Sequence, residues 1–221
     1  MNSLAVELNE KGLQHLTMGD INKALEYFQQ AMQEAPDFPD PYANIANVLA
    51  SSGENEDALV WFKKAISLDP EGPLFQYGAG NVYFNVGDYA SAKEHYERAE
   101  KLGMKHHDLH FMLAMTCFHL EELTESIARF DQSLQMEPED VEATFTRGLA
   151  LARMGDISRA KEAFEQTIHL QLDHADGLFN LGIAYAYLGD LPAAKDSLQR
   201  AIEINPQHVL AKNALQQLQN L

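Results

Sequence analysis

Small and apolar residues recur along the chain at a fixed interval of 34 residues. With that interval as the unit, six repeats run 5–38, 39–72, 73–106, 107–140, 141–174 and 175–208. Numbering slots within each unit, slot 8 holds Gly12, Ala46, Gly80, Ala114, Gly148 and Gly182. Slot 20 holds Ala24, Ala58, Ala92, Ser126, Ala160 and Ala194, and slot 27 is equally small, from Ala31 to Ala201. Slot 24 is large in every unit: Phe28, Phe62, Tyr96, Phe130, Phe164 and Leu198. Slot 15 is Gly19, Gly53, Gly87, Glu121, Gly155 and Gly189, and an Asp or Glu follows it each time. Nine of the thirteen glycines fall in slots 8 and 15, so the register is not accidental.

Each slot has a physical reading. A glycine after a run of helical residues stops a helix, and an acid just beyond it suits the N-terminus of the next, where the helix dipole favours negative charge. The proline at slot 32, present as Pro36, Pro70, Pro138 and Pro206, cannot continue a helix and ends the second one. Each unit is therefore helix A over about slots 2–14, a tight turn, and helix B over about slots 18–30. Small residues at slots 8, 20 and 27 let the two helices approach, and the slot-24 side chain fills the gap they leave. Neither helix buries its apolar face alone, so stacking of neighbours supplies the stability.

The combined pattern resembles the tetratricopeptide repeat, a 34-residue helix–turn–helix unit, over residues 5–208. More narrowly, Tyr77-Gly78-Ala79-Gly80-Asn81-Val82-Tyr83 and the last repeat from His174-Ala175-Asp176 resemble small proteins of Bacillus-type bacteria made of such repeats alone. The resemblance implies an all-α, right-handed superhelical solenoid forming one domain over 1–221. Beyond the sixth repeat, Val209, Leu210, Ala211, Ala214, Leu215, Leu218 and Leu221 make 209–221 an amphipathic helix, expected to cap the array with Lys212, Gln216 and Gln219 on its polar side. A self-recognition helix is the rival reading.

In this family the A helices line an inner groove with slots 2, 5, 6, 9, 12 and 13. Carried over, slot 5 reads Asn9, Ala43, Tyr77, Phe111, Phe145 and Phe179, an aromatic in four consecutive units. Such rings bury much area at low entropic cost and suit binding anchors, although packing between neighbouring A helices would also explain them. Phe84 and Phe118 at slot 12 and Tyr187 at slot 13 extend the aromatic set, with Met112 and Met115 as adaptable contacts. Asn44, Asn47, Asn81, Asn85 and Asn180 also occupy groove slots, where an amide both donates to and accepts from a peptide backbone. Solvated or locally capping amides are the plainer reading of each. Gly78, in mid-helix, costs about 1 kcal/mol relative to Ala and lacks the slot-8 explanation that Gly80 has. It is expected to open space for a ligand backbone beside Tyr77 and Asn81.

Charge narrows the partner. The chain carries 33 acids and 16 bases, a formal charge of −17. That balance argues against nucleic acid and anionic membranes, both of which attract clustered Lys and Arg. Family members that hold a partner's C-terminal carboxylate use Lys, Arg and Asn at slots 2, 5, 6 and 9. No Lys or Arg stands there in any repeat, and slot 2 carries Asp40, Asp108, Glu142 and Asp176. Arg153 is the one base among the groove slots. A carboxylate clamp is therefore not expected; a neutral-to-basic segment with apolar anchors is.

Apolar content of 46% excludes disorder, no apolar run reaches membrane-spanning length, and the start reads as no signal peptide. With one cysteine, Cys117, there is no internal disulfide, and a cytoplasmic location is expected. Catalytic chemistry finds no support. Gly78-Ala79-Gly80 lies inside a helix with Tyr83 where a dinucleotide fingerprint needs its third glycine. His106 and His110 are four apart, but His106 precedes helix A, so a shared metal-binding face is not expected. Cys117 and Trp61 read as packing residues. The sequence thus points to a protein–protein adaptor without enzyme activity, cofactor or metal, with a self-assembling structural protein as the alternative.

Overall fold

The computed structural model describes residues 3–219, and Leu221 of the predicted capping helix lies outside them. Among the described residues there are thirteen α-helices and no strands. They form six hairpins: α1 (Ser3–Thr17) with α2 (Ile21–Glu34), α3 (Pro39–Ser51) with α4 (Asn55–Leu68), and α5 (Pro73–Asn85) with α6 (Tyr89–Lys101). Next come α7 (His107–His119) with α8 (Leu123–Met136), α9 (Val141–Arg153) with α10 (Ile157–Leu170), and α11 (Ala175–Tyr187) with α12 (Leu191–Ile204). A last helix, α13 (Val209–Gln219), packs on α12 and α11. The hairpins group into two compact units, Met1–Lys105 and His106–Leu221, divided between the third and fourth repeats.

The turn inside each hairpin is set by slot 15, which lies in the left-handed region in all six repeats. Five are glycine, with φ from 77° to 85°, and the sixth is Glu121 at φ 59°. In every repeat the N–H of slot 16 then donates to the carbonyl of slot 11 at 2.9–3.0 Å, closing the end of helix A. Slot 16 also starts helix B. Asp20, Asp88, Asp156 and Asp190 accept a backbone N–H of the next helix through their carboxylates. Glu54 and Glu122 stand at the same position without such a bond, because the longer side chain is a poor N-cap.

Where helix B has its full length, the chain leaves it at slot 31. Ala35, Asp69, Glu137 and Asn205 all precede a proline and are extended there, with φ between −143° and −122°. Gln171 does the same before Leu172, so proline is not required for the exit. The third repeat departs from this scheme: α6 is shorter, and Gly103 at φ 92° stops it, with Met104 N–H donating to the Ala99 carbonyl.

The small-residue slots act as the periodicity predicts. A Cβ on Gly80 would lie 2.6 Å from the Tyr96 ring, on Gly148 2.6 Å from Phe164, and on Gly182 2.8 Å from Leu198. Slots 20, 24 and 27 are buried in every repeat. Where serine replaces alanine, its hydroxyl is satisfied locally: Ser126 donates to the Ala114 carbonyl at 2.8 Å and Ser133 to that of His107 at 3.2 Å.

Candidate functional site

In the first unit, α3 and α5 face each other across a cavity of about 280 Å3. Asp40, Ala43, Asn44 and Asn47 line it from α3, and Leu74, Phe75, Tyr77, Gly78 and Asn81 from α5, with Phe62 of α4 at the back. Five residues of the sequence-derived set meet here: Asn44, Asn47, Tyr77, Gly78 and Asn81. Asp40 and Leu74 belong with them and were not in that set, although both occupy slot 2, a groove slot.

The amides differ in what they have left to offer. Asn44 donates to Asn9 Oδ1 at 2.8 Å, and Asn81 accepts from the Tyr96 hydroxyl at 2.8 Å. Tyr96 is fully buried, and its removal from water, with Tyr77 beside it, holds its phenol well above the ordinary range, so it remains a donor to Asn81. Asn47 is exposed, and its amide meets no partner among the described residues. Asn85, the last residue of α5, is exposed too and lies outside the cavity, as does Phe84, whose ring packs edge-on against Tyr89 at 5.3 Å.

Gly78 needs a correction. Its position is explained by packing after all, because a Cβ there would run into the Phe62 ring of the preceding repeat. The missing side chain seats Phe62, and Gly78 lines the cavity beside that ring rather than being left open for a ligand backbone.

In the second unit the slot-5 rings are half-buried against their own helix B or the next link. Phe111 meets Phe130 edge-on at 6.0 Å, and Phe145 lies 5.9 Å from Phe164 and 4.7 Å from His174. Phe179 rests 5.0 Å from His208, and in the first unit Tyr77 meets Tyr96 at 5.6 Å in the same way. These rings thus contribute to packing while keeping part of their surface exposed. Met115 packs with Phe111 around Ala114, Phe130 and Ala143, and Met112 is half-buried beside it. Phe118 is buried, and the Arg153 guanidinium covers it at 4.2 Å while also binding Glu121 at 2.9 Å. The one groove base is therefore already neutralised by a neighbour.

A second cavity, of about 380 Å3, lies between the α9–α10 hairpin and α11. It joins Asn180 and Tyr187 of the sequence-derived set with Ile157, Phe164 and Ile183. Tyr187 is 76% exposed, and Asn180 donates to the Asp176 carbonyl at 2.8 Å, a bond within its own helix.

Sequence reasoning had no access to a third hollow of about 390 Å3, made by Leu59, Val60, Lys63 and Ile66 of α4 with Tyr83 and His95. Its walls come largely from a helix B, and the groove slots exclude those residues. Burial holds the His95 imidazole below its ordinary range, with Glu94 opposing; the ring stacks on Tyr83 at 5.1 Å, and its Nδ1 lies 2.8 Å from Gln76 Oε1.

His106, His107 and Asp108 bring one ligand atom each within 4.8 Å of one another. The Asp108 carboxylate reaches both rings, at 3.1 Å from His106 Nδ1 and 3.2 Å from His107 Nε2; His106 Nδ1 also caps the helix by accepting the Asp108 N–H, as His174 accepts that of Gly177 and His208 that of Ala211. Cys117 is fully buried, and Trp61 packs against Tyr42 at 5.8 Å.

Family profiles described as tetratricopeptide repeat match residues 8–38, 77–141 and 145–209, and one described as TPR repeat matches 46–87. The crystal structure of YrrB, described as a TPR protein with an unusual peptide-binding site, is 35% identical, with a TM-score of 0.80 over 86% of this chain and 97% of that one. The chain belongs to the tetratricopeptide-repeat family. MamA is 21% identical at a TM-score of 0.73 over 78% of this chain and 94% of its own. PilF of Pseudomonas aeruginosa is 15% identical at 0.79 over 99% and 98%; at these identities the likeness is one of fold alone. No curated protein matches the chain in sequence. Tetratricopeptide repeats serve as scaffolds for protein–protein interaction, and no helix among the described residues is long and apolar enough to cross a membrane.

Proposed function

We propose that this tetratricopeptide-repeat chain is a non-enzymatic adaptor that holds an extended or helical segment of another protein against its A helices, without a carboxylate clamp. The observation that carries the reading is the α3–α5 cavity, where exposed Asn47 and half-committed Asn44 and Asn81 stand beside Tyr77 and the apolar wall of Ala43, Phe62 and Leu74. Amides beside apolar surface suit a peptide, because they bond its backbone while the wall buries its side chains. YrrB, the relative at 35% identity, is itself described as having a peptide-binding site, which supports the reading. Helical hairpins packed together, as they are within each unit, spend little entropy on binding. The expected ligand is neutral to basic, since slots 2, 5, 6 and 9 hold acids and no Lys or Arg, and Arg153 is engaged with Glu121.

Self-assembly through terminal faces draws less support. In α13, slots 4 and 8 are Lys212 and Gln216, both exposed, where Leu8 and Gly12 of the first repeat are buried under helix B. A helix with polar residues on that face is a poor seat for another helix.

The test is capture of partners from native lysate by wild type and by an Asn47→Ala/Tyr187→Ala variant, read by mass spectrometry. Proteins held by wild type and lost by the variant support groove binding; identical captures would refute it.

A further inference from the structure

Four repeats carry an acid at slot 2, and three of those acids have a partner. Asp108 lies 3.1 Å from His106 Nδ1 and 3.2 Å from His107 Nε2. Glu142 accepts from the Thr146 hydroxyl at 3.3 Å, and Asp176 lies 3.1 Å from His208 Nε2. Asp40 alone has no cation or side-chain donor among the described residues, and its charged neighbour is another acid, Asp69.

Asp40 is exposed to water on one side and faces the α3–α5 cavity on the other. It sits in the first turn of α3, where the helix dipole and its own backbone N–H favour the carboxylate. Even so, the surrounding protein strips away enough water, with Asp69 adding repulsion, to hold the carboxyl above its ordinary range. The side chain is accessible at the rim of the α3–α5 cavity, and no base lines that cavity. A cation arriving there would offset the repulsion from Asp69.

Resting on the peptide-binding reading above, we propose that the α3–α5 cavity selects segments bearing a lysine or arginine, whose cationic head pairs with Asp40 while its aliphatic stem lies along Leu74 and Tyr77. The chemistry matches on both counts. Long basic side chains cover apolar surface with their methylenes and carry the charge at the tip. The neighbouring Asn47 and Asn81 amides then hold the flanking backbone.

The experiment is selection of random dodecapeptides displayed on phage against the full chain, followed by calorimetry of the selected peptides. The proteins used are wild type, Asp40→Asn and Asn47→Ala/Tyr77→Ala. Each peptide is also tested with its basic residue replaced by norleucine, and with Lys and Arg exchanged. Expected are Lys- or Arg-bearing peptides that need Asn47 and Tyr77. Their affinity should fall roughly two- to fivefold both for Asp40→Asn and for the norleucine peptide, with the two losses not adding. Peptides that need Asn47 and Tyr77 but bind Asp40→Asn equally well would overturn the cation pocket and leave peptide binding standing. Failure to select any peptide sensitive to Asn47→Ala/Tyr77→Ala would overturn both. Thermal melts separate binding from folding: Asp40→Asn should not lower Tm, and Asn47→Ala/Tyr77→Ala, which strips a ring from Tyr96, is compared only at temperatures where its own melt shows it folded.

Discussion

The Phe62 ring occupies the space that a side chain on Gly78 would need. A mid-helix glycine is ordinarily a liability of about 1 kcal/mol, so replacing it with alanine should stabilise an exposed helix. At Gly78 the sign reverses, because the new methyl must displace a ring that is itself 1% exposed and fully surrounded. Gly78→Ala is expected to lower stability by about 1–3 kcal/mol, the usual range for overpacking. Urea denaturation of Gly78→Ala, Phe62→Leu and the double variant checks this; the pair should be less destabilised than the sum of the singles. Gain of stability in Gly78→Ala alone would show that Phe62 yields freely.

Glu121 is the one residue other than glycine at slot 15, at φ 59°, where an L side chain is strained by about 1–2 kcal/mol. Its bond to Arg153 is largely exposed and returns little, about 0–1 kcal/mol. Glu121→Gly should therefore stabilise the chain by about 0.5–1 kcal/mol despite losing the pair. The converse change at the same slot, Gly155→Ala, should cost about 1 kcal/mol. Differential scanning calorimetry of the two variants reads both signs.

These cases show which features the sequence makes legible. Helix ends and hairpin pairing follow from slots 8, 15, 20, 24 and 27, because each slot answers to a local contact that recurs every repeat. Gly103 was harder to place: it is alone in its slot, so no period announces it, yet it ends α6 where proline is missing. The packing partner of Gly78 was hidden for another reason. Phe62 belongs to the preceding repeat, and spacing inside one unit does not report contacts with the next. Likewise, groove slots could be assigned, but not which amides were already spent: Asn44 on Asn9 and Asn81 on Tyr96 are distant pairs. Asp40 shared its slot with three other acids, and only the absence of a neighbour sets it apart.

Acid sensitivity should arise at His95. Burial depresses its folded-state imidazole, so the unfolded chain takes up a proton first as pH falls. The contribution of neutral His95 is fully present above the unfolded value, near 6.5, and is lost as pH drops through it toward the lower folded value. Stability should thus decline as pH falls below about 6.5, more steeply for wild type than for His95→Gln, which keeps a polar group near Gln76 but cannot be protonated. Urea midpoints at several pH values for both proteins check it; parallel curves would show that His95 carries no such linkage.

Groove variants must separate binding from packing, and the structure indicates which positions do so. Phe111 and Phe145 contact Phe130 and Phe164, so truncating either leaves a gap beside a buried ring. Each Phe→Ala change is expected to cost on the order of 2–3 kcal/mol, somewhat below the value for a wholly buried phenylalanine. A variant lacking both would lose partners through unfolding as readily as through the groove. Asn47 and Tyr187 are exposed, and neither has a hydrogen bond or ring partner among the described residues. Replacing them with alanine should shift stability by no more than about 0.5 kcal/mol. Circular dichroism melts should therefore superimpose for wild type and Asn47→Ala/Tyr187→Ala, while the Phe111→Ala/Phe145→Ala melt moves several degrees lower. Partner capture lost in the first variant with Tm unchanged assigns recognition to the A-helix surface around Asn47 and Tyr187; capture lost only in the second, at a temperature where its melt shows it folded, assigns it to the slot-5 rings.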